Sequence, residues 1–388
     1  MMKRSQSNRR EFLQGKAAAR AIADAAQQIP LGEPRSPSAG SAANPARSDA
    51  PRPVANPAAA SGYLLRIGRR AMACEFEVLI GAGPDSDGTE LAVAALDLVD
   101  RLESQLTVYR DTSEISRLNR SAYDRDVEVE PRLFELLSTA VEIHRRTGGA
   151  YDITSGPLSR AWGFSRRAGR MPDNAELAAA LGRVGSQRLL FDPARRTVRF
   201  SVAGMELNLG SIGKGYALDR CSELLGARGL GDFLLHGGQS SLLARGSRNS
   251  PGTEGDTGWW IGVRDPLRPG GRLGQIRLEN RAMGTSGTGT QFFYHAGRRY
   301  GHILDPRSGR PAEGILSSTV LARTAAEADA LSTAFYVLGP AAALDYCRRY
   351  GESHGNLSAL MVVAGSAPGR VQVVSYGLDE ADWRPVQR

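Results

Sequence analysis

At 388 residues, 41% of them hydrophobic, the chain is long enough for one large domain or two medium ones with a substantial core. Its net charge of +8 is no mark of a nucleic-acid binder, because residues 1–60 carry nine Lys/Arg against four Asp/Glu and only +3 is left for everything after them. Three cysteines, Cys74, Cys221 and Cys347, are odd in number and widely spaced, which excludes a disulfide framework or a paired-cysteine metal knuckle; no stretch reaches the roughly 18 apolar residues of a membrane span.

Residues 1–28 contain Ser7-Asn8-Arg9-Arg10-Glu11-Phe12-Leu13, the form of a twin-arginine export signal, followed by an alanine-rich stretch that Arg20 and Asp24 interrupt. Two readings stay open, export to the periplasm or a basic start to a cytoplasmic protein. Residues 29–61 are rich in Pro, Ala and Ser without hydrophobic periodicity, so they are expected to form a disordered linker, and the folded domain is expected over 62–388. Folding begins at Tyr63–Ile80, where Cys74, Phe76, Val78 and Ile80 alternate with Glu75 and Glu77 as in a half-buried strand. Leu91, Ala95, Leu98, Leu102 and Leu106 recur at helical spacing, and a second helix is predicted from Pro131 to Arg146, stopped by Gly148-Gly149. Further helices are expected at Asn174–Leu181, Lys214–Leu225, Ala326–Leu338 and Ala341–Arg349. Strands are expected at Leu189–Phe191, Val198–Val202, Phe233–Leu235, Trp259–Val263, Gly274–Leu278 and Thr319–Ala322, with a loop at Gly246–Thr257. Strands and helices without a regular alternation predict a mixed α+β fold.

Four segments carry chemistry. Leu207-Asn208-Leu209-Gly210-Ser211-Ile212-Gly213-Lys214-Gly215 reads as a strand end, a glycine turn and a helix opening at Lys214, whose free N–H groups suit a phosphate; its spacing is not that of a P-loop, and a plain glycine-rich turn is the alternative. Asp329 and Thr333, four apart on a predicted helix, share one face and could hold a hard cation such as magnesium, or merely complement the helix dipole and bond the backbone. His302 ends an expected strand, and Asp305-Pro306 begins the turn after it, which sets an imidazole and a carboxylate side by side. Gly148-Gly149-Ala150-Tyr151-Asp152 and the residues after it are small enough to let a flat ring approach, with Tyr151 or Tyr109 to stack on it or simply to pack the core. His144, His236, His295 and His354 lack such company and are read as structural.

In this order the segments resemble the ApbE family of FAD:protein FMN transferases over about residues 64–365. The matching pieces are Ala71-Met72, Thr107-Val108-Tyr109, Ser113–Asn119, Tyr151–Thr154, Gly213–Tyr216, Gly237-Gly238, Thr285–Gly287, His302–Pro306 and Asp329–Thr333. The resemblance implies a two-subdomain, T-fold-like α+β architecture with the flavin site in the cleft between its halves. It implies that Met72, Tyr109, Ala150, Tyr151, Asp152, Asn208, Lys214 and Leu304 line the FAD site, and that Ser211, Asp329 and Thr333 hold Mg2+. His302 matches a histidine that assists the attacking hydroxyl; Asp305 is the second choice of base. The implied reaction passes FMN from FAD to a Ser/Thr of an acceptor redox protein, releasing AMP. Its acceptor motif, Asp-x-x-Ser/Thr-Gly-Ala-Ser/Thr, is missing from this sequence, so the acceptor is another chain. Hydrolysis of FAD to FMN and AMP, or flavin binding without catalysis, are the alternatives. The sequence departs from the pattern at Ala73-Cys74, where Gly-Thr is usual, at Asn208 in place of Asp, and at Gln239 in place of an acidic residue.

Overall fold

The computed structural model describes residues 63–82, 87–248, 257–287, 289, 291–351 and 357–386. The expected signal and linker, His354 and residues 249–256 of the expected loop lie outside them.

The chain opens with a hairpin, β1 (Tyr63–Ala71) and β2 (Cys74–Ala82), so the alternation read as one strand is two strands joined at Met72-Ala73. Both turn residues have positive φ, +48° and +60°, as a two-residue turn between twisted strands demands; neither is the glycine or asparagine that tolerates it without strain. Next come α1 (Gly88–Leu106), α2 (Glu114–Ser121), β3 (Val127–Glu128), α3 (Pro131–Arg146), α4 (Gly156–Ala161), α5 (Asn174–Leu181), β4 (Leu189–Asp192) and β5 (Thr197–Phe200). The strands β3, β5 and β4 form a small sheet of their own. Side-chain caps start three of these helices: the Ser113 hydroxyl accepts the Ser116 N–H, the Glu130 carboxylate accepts the Leu133 N–H, and Asp173 with Glu176 forms a capping box.

The second half contains α6 (Gly213–Ala227), β6 (Phe233–Gly237), β7 (Ser241–Arg245), β8 (Trp259–Arg264), β9 (Arg272–Leu278), β10 (Ala282–Gly287), β11 (Phe292–His295) and β12 (Arg298–Gly301). It ends with β13 (Ser317–Ala322), α7 (Ala325–Leu338), α8 (Pro340–Tyr350), β14 (Ser358–Ala364), β15 (Val371–Tyr376) and β16 (Trp383–Pro385). The main sheet has eight strands in the order β1-β2-β6-β7-β10-β13-β14-β15, every neighbouring pair antiparallel. Helices α1, α6 and α7 cover one face; the sheet β16-β9-β8 shares an apolar cluster with the other. The strand sequences show why both faces are buried. Phe233 and Leu235 join the core under the helices, whereas Leu234 between them joins the cluster on the opposite side, and Ala359 and Met361 divide from Leu360 and Val362 in the same way.

Two glycines set how closely α7 approaches its neighbours. A Cβ on Gly215, in the first turn of α6, would lie 2.1 Å from the Ala325 carbonyl oxygen, and one on Gly284 of β10 would lie 2.4 Å from that of Ala328. Only residues without side chains let the α7 backbone rest against both elements.

Candidate active site

That close approach buries Asp329, 7% exposed, against the opening of α6. The Gly215 N–H donates to Asp329 Oδ2 at 2.8 Å, and the Ser241 hydroxyl donates to Oδ1 at 2.7 Å. The contact is reciprocated one turn along each helix, where Asp219 of α6 accepts the Ala325 and Ala326 N–H groups at 2.7 and 2.9 Å. Two carboxylates thus latch α6 to α7. Burial pushes Asp219 up to about 7 and Asp329 up to about 6; for Asp329 the Lys214 charge and the Ser241 and Gly215 hydrogen bonds only partly offset it.

The segment before α6 is not the strand expected from the sequence. Among the described residues Glu206 makes one isolated bridge to Ser155, and the Asn208 amide oxygen accepts the Gly210 N–H at 2.9 Å, shaping the turn. The helix opening also offers less to an anion than its glycines suggest. Gly213 donates its N–H to the Leu209 carbonyl and Gly215 donates to Asp329, which leaves the Lys214 N–H without a partner among the described residues. The Lys214 ammonium donates to Ser240 Oγ at 2.7 Å. Its charge acts on Asp329, on Cys74 at the start of β2, and on His302.

Thr333 lies one turn beyond Asp329, as the four-residue spacing requires. Its hydroxyl donates to the Asp329 carbonyl at 3.3 Å and shares a 3.0 Å hydrogen bond with Ser286 of β10. Ser211 meets the group through Tyr151, whose phenol accepts the Ser211 hydroxyl at 3.4 Å and also feels the Asp329 charge. The donor set is therefore one carboxylate and several hydroxyls, and among the described residues no cluster of three or more His, Cys, Asp or Glu could hold a metal. This suits magnesium, which keeps its waters and takes substrate phosphate oxygens in place of a protein cage. A buried carboxylate short of positive charge is what such an ion would relieve.

His302 directly follows β12. Its Nδ1 lies 3.0 Å from the Gln291 carbonyl, an acceptor, so Nδ1 carries the proton and Nε2 keeps its lone pair. Burial first, and the Lys214 charge second, hold this imidazole below its ordinary 6.5. The strand that it follows is Arg-Arg-Tyr-Gly and ends at Gly301, one residue before the expected end at His302. Asp305 is otherwise engaged, its carboxylate accepting two 2.9 Å bonds from the Arg307 guanidinium.

The remaining expected flavin contacts differ in what the fold leaves exposed. Tyr109 is 74% exposed, whereas Tyr151, at 1%, and Ala150 are core residues, so Tyr109 is the ring with a face to offer. Met72 sits at the strained hairpin turn, and Leu304 packs beside α4 and α5. Asp152 is saturated within the chain, accepting from the Thr154 and Ser186 backbones and hydroxyls and pairing with His144 Nδ1 at 3.1 Å. His144 is raised above its ordinary value because the Asp152 contacts together outweigh burial. Sequence reasoning assigned no role to Ser240, Ser241, Ser286, Gln291 or Asp219. The Gly237-Gly238 turn was the available signal for the first two; Gly238 has positive φ, and a Cβ there would strike Cys74.

The ApbE family model matches residues 72–361, three quarters of the chain. An FAD:protein FMN transferase of Klebsiella pneumoniae is 31% identical over 264 residues, 66% of this chain and 73% of that protein, and one of Escherichia coli K12 is 30% identical over 263 residues, 66% and 72% of the two. The ApbE protein of Thermotoga maritima superposes with a TM-score of 0.70 at 28% identity, covering 80% of this chain and 96% of that one. The apo form of the Pseudomonas stutzeri flavinyl transferase ApbE gives 0.70 at 27%, covering 81% and 95%. This chain belongs to the ApbE family of flavin transferases.

Proposed function

We propose that the chain splits FAD at its pyrophosphate and passes the FMN half to a Ser or Thr hydroxyl of another protein, with magnesium as the required ion and AMP as the leaving group. The observation that carries this reading is the junction of α6 and α7. There the buried Asp329 carboxylate feels the Lys214 charge, the Thr333 hydroxyl bonds the Asp329 carbonyl, Ser211 bonds Tyr151, which feels the Asp329 charge, and the Lys214 charge reaches the His302 imidazole.

Attack on phosphorus needs the negative oxygens of the anhydride neutralised and an acceptor hydroxyl relieved of its proton. Asp329, Thr333 and Ser211 would hold magnesium, which when bound supplies charge neutralisation at the diphosphate. The Lys214 ammonium and its unpaired N–H add fixed positive charge on the protein side. His302 Nε2, kept neutral at physiological pH, takes the hydroxyl proton as the new O–P bond forms. The P–O bond to AMP breaks with its electron pair going to AMP, so no covalent enzyme intermediate is needed. Asp305, tied to Arg307, positions the turn beside His302.

Incubation with FAD, magnesium and a candidate acceptor domain tests the proposal. The expected result is a flavin-fluorescent acceptor band under denaturing conditions and one AMP per flavin attached. AMP with an unlabelled acceptor would assign hydrolysis instead, and FAD recovered intact would leave a binding protein.

A further inference from the structure

We propose that the outer face of the β11–β12 hairpin is the docking surface for the protein that receives the flavin, and that it takes a segment carrying acidic residues beside an apolar side chain. The proposal rests on the flavin-transfer reading above. The hairpin register pairs Phe293 with Tyr300 and Tyr294 with Arg299, so alternation divides its side chains between two faces. Phe293 and Tyr300 stack at 5.3 Å on the inner face, backed by Phe164 and Trp162. On the outer face Phe292 and Tyr294 meet edge to face and are 41% and 68% exposed, while the Arg299 guanidinium lies 3.9 Å over the Phe292 ring. Aromatic rings steadied by arginine are what protein interfaces concentrate at their centres. Two strands outside any larger sheet gain little from leaving them in water.

This ledge adjoins the base. The Gln291 carbonyl, one residue before Phe292, accepts the His302 Nδ1–H, and the Gln291 amide donates to the Phe164 carbonyl at 2.8 Å, so hydrogen bonds tie the hairpin to Phe164 and to the imidazole. The outer face therefore begins one residue along the chain from the carbonyl that holds His302. The rim sets the partner's charge: residues 160–170 and 291–313 contain eight arginines, of which Arg160, Arg170, Arg298 and Arg307 pair with Glu206, Glu176, Glu313 and Asp305. Arg166, Arg167 and Arg310 are exposed and make no ion pair among the described residues. Such a rim speeds and orients the approach of an acidic segment and repels a basic one.

The test uses a fluorescent acceptor domain carrying Asp-x-x-Ser-Gly-Ala-Thr with acidic, neutral or basic flanking residues, titrated by anisotropy with the full-length protein. The partners are wild type, the double variant F292A/Y294A and the double variant R166E/R167E. Wild type should bind the acidic-flanked domain about tenfold more tightly than the basic one, and each variant should lose about tenfold of that affinity. FAD affinity, read from flavin fluorescence, should stay unchanged, and the acceptor KM should rise with kcat preserved. Equal binding of all three domains, full binding by both variants, or a change confined to self-association of the chain would overturn the docking surface. If binding follows the hairpin yet no FMN passes, the transfer reading fails and the surface stands; if FMN passes while binding ignores the hairpin, the reverse holds.

Discussion

Asp329 is held where its charge is costly, so replacing it with an isosteric neutral residue should separate function from stability. Burial raises the carboxylate from 3.8 to about 6, a shift of about two units that corresponds to about 3 kcal/mol. The folded state binds the proton more tightly than the unfolded chain, so in the metal-free protein stability falls as pH rises through this window and stays lowered above about 6. Asp329→Asn removes the charge and keeps both contacts: the amide oxygen can accept the Gly215 N–H, and the amide N–H can donate to the Ser241 hydroxyl, which reorients. Without metal, near pH 8, the variant should melt several degrees above wild type, about 3 kcal/mol being the ceiling, and the two should converge near pH 4. Magnesium should raise the melting temperature of wild type only, and flavin transfer should be lost. Scanning calorimetry at both pH values, with and without magnesium, reads all of this. An Asn variant that melts below wild type at pH 8, or that still gains stability from magnesium, would refute the reasoning.

Gly215→Ala should lower stability by about 1–3 kcal/mol and impair transfer, since its Cβ would fall 2.1 Å from the Ala325 carbonyl oxygen and force α6 off α7; urea titration paired with the transfer assay reads both effects. His302 is a base with a lowered pKa, so kcat should hold as pH falls to 6.5 and decline only below it. An acid limb centred above 6.5 in the pH–rate profile would reject that role. His144 is raised by Asp152, so its contribution to stability is complete below pH 6.5 and is lost as pH rises through the folded value. His144→Gln should therefore flatten the fall in melting temperature above pH 6.5, and an unaltered slope would count against the pair.

Six of the eight helices among the described residues were legible from periodicity and end signals, whereas the short α2 and α4 were not expected. The 3.6-residue period and Pro131 place α3 at Pro131–Arg146, and α5 spans the expected Asn174–Leu181 with its Asp173 cap. Strands β7 and β14 left no such trace. Ser-Leu-Leu-Ala-Arg and Ser-Ala-Leu-Met-Val-Val-Ala lie in a sheet covered on both faces, which erases the period-two signal. Strand β10, Ala-Met-Gly-Thr-Ser-Gly, has no strand propensity, and its small residues answer to the α7 backbone above Gly284. At the α6–α7 junction, the shared helical face of Asp329 and Thr333 was readable from their spacing, and the place of Lys214 in the first turn of a helix from the glycines around it. Ser241 and Ser286 were not, because their partners on α7 lie far along the chain and only the folded sheet brings them together. Gly215 was read as turn chemistry, whereas its φ is ordinary and the constraint on it is the neighbouring helix.

The most direct test is a crystal structure of the protein grown with FAD and manganese in place of magnesium, with anomalous data collected for the metal. The dinucleotide diphosphate should lie at the opening of α6 beside Lys214, with an anomalous peak in coordinating distance of the Asp329 carboxylate and the Thr333 hydroxyl. A diphosphate bound elsewhere, or a metal peak away from Asp329, would contradict the account.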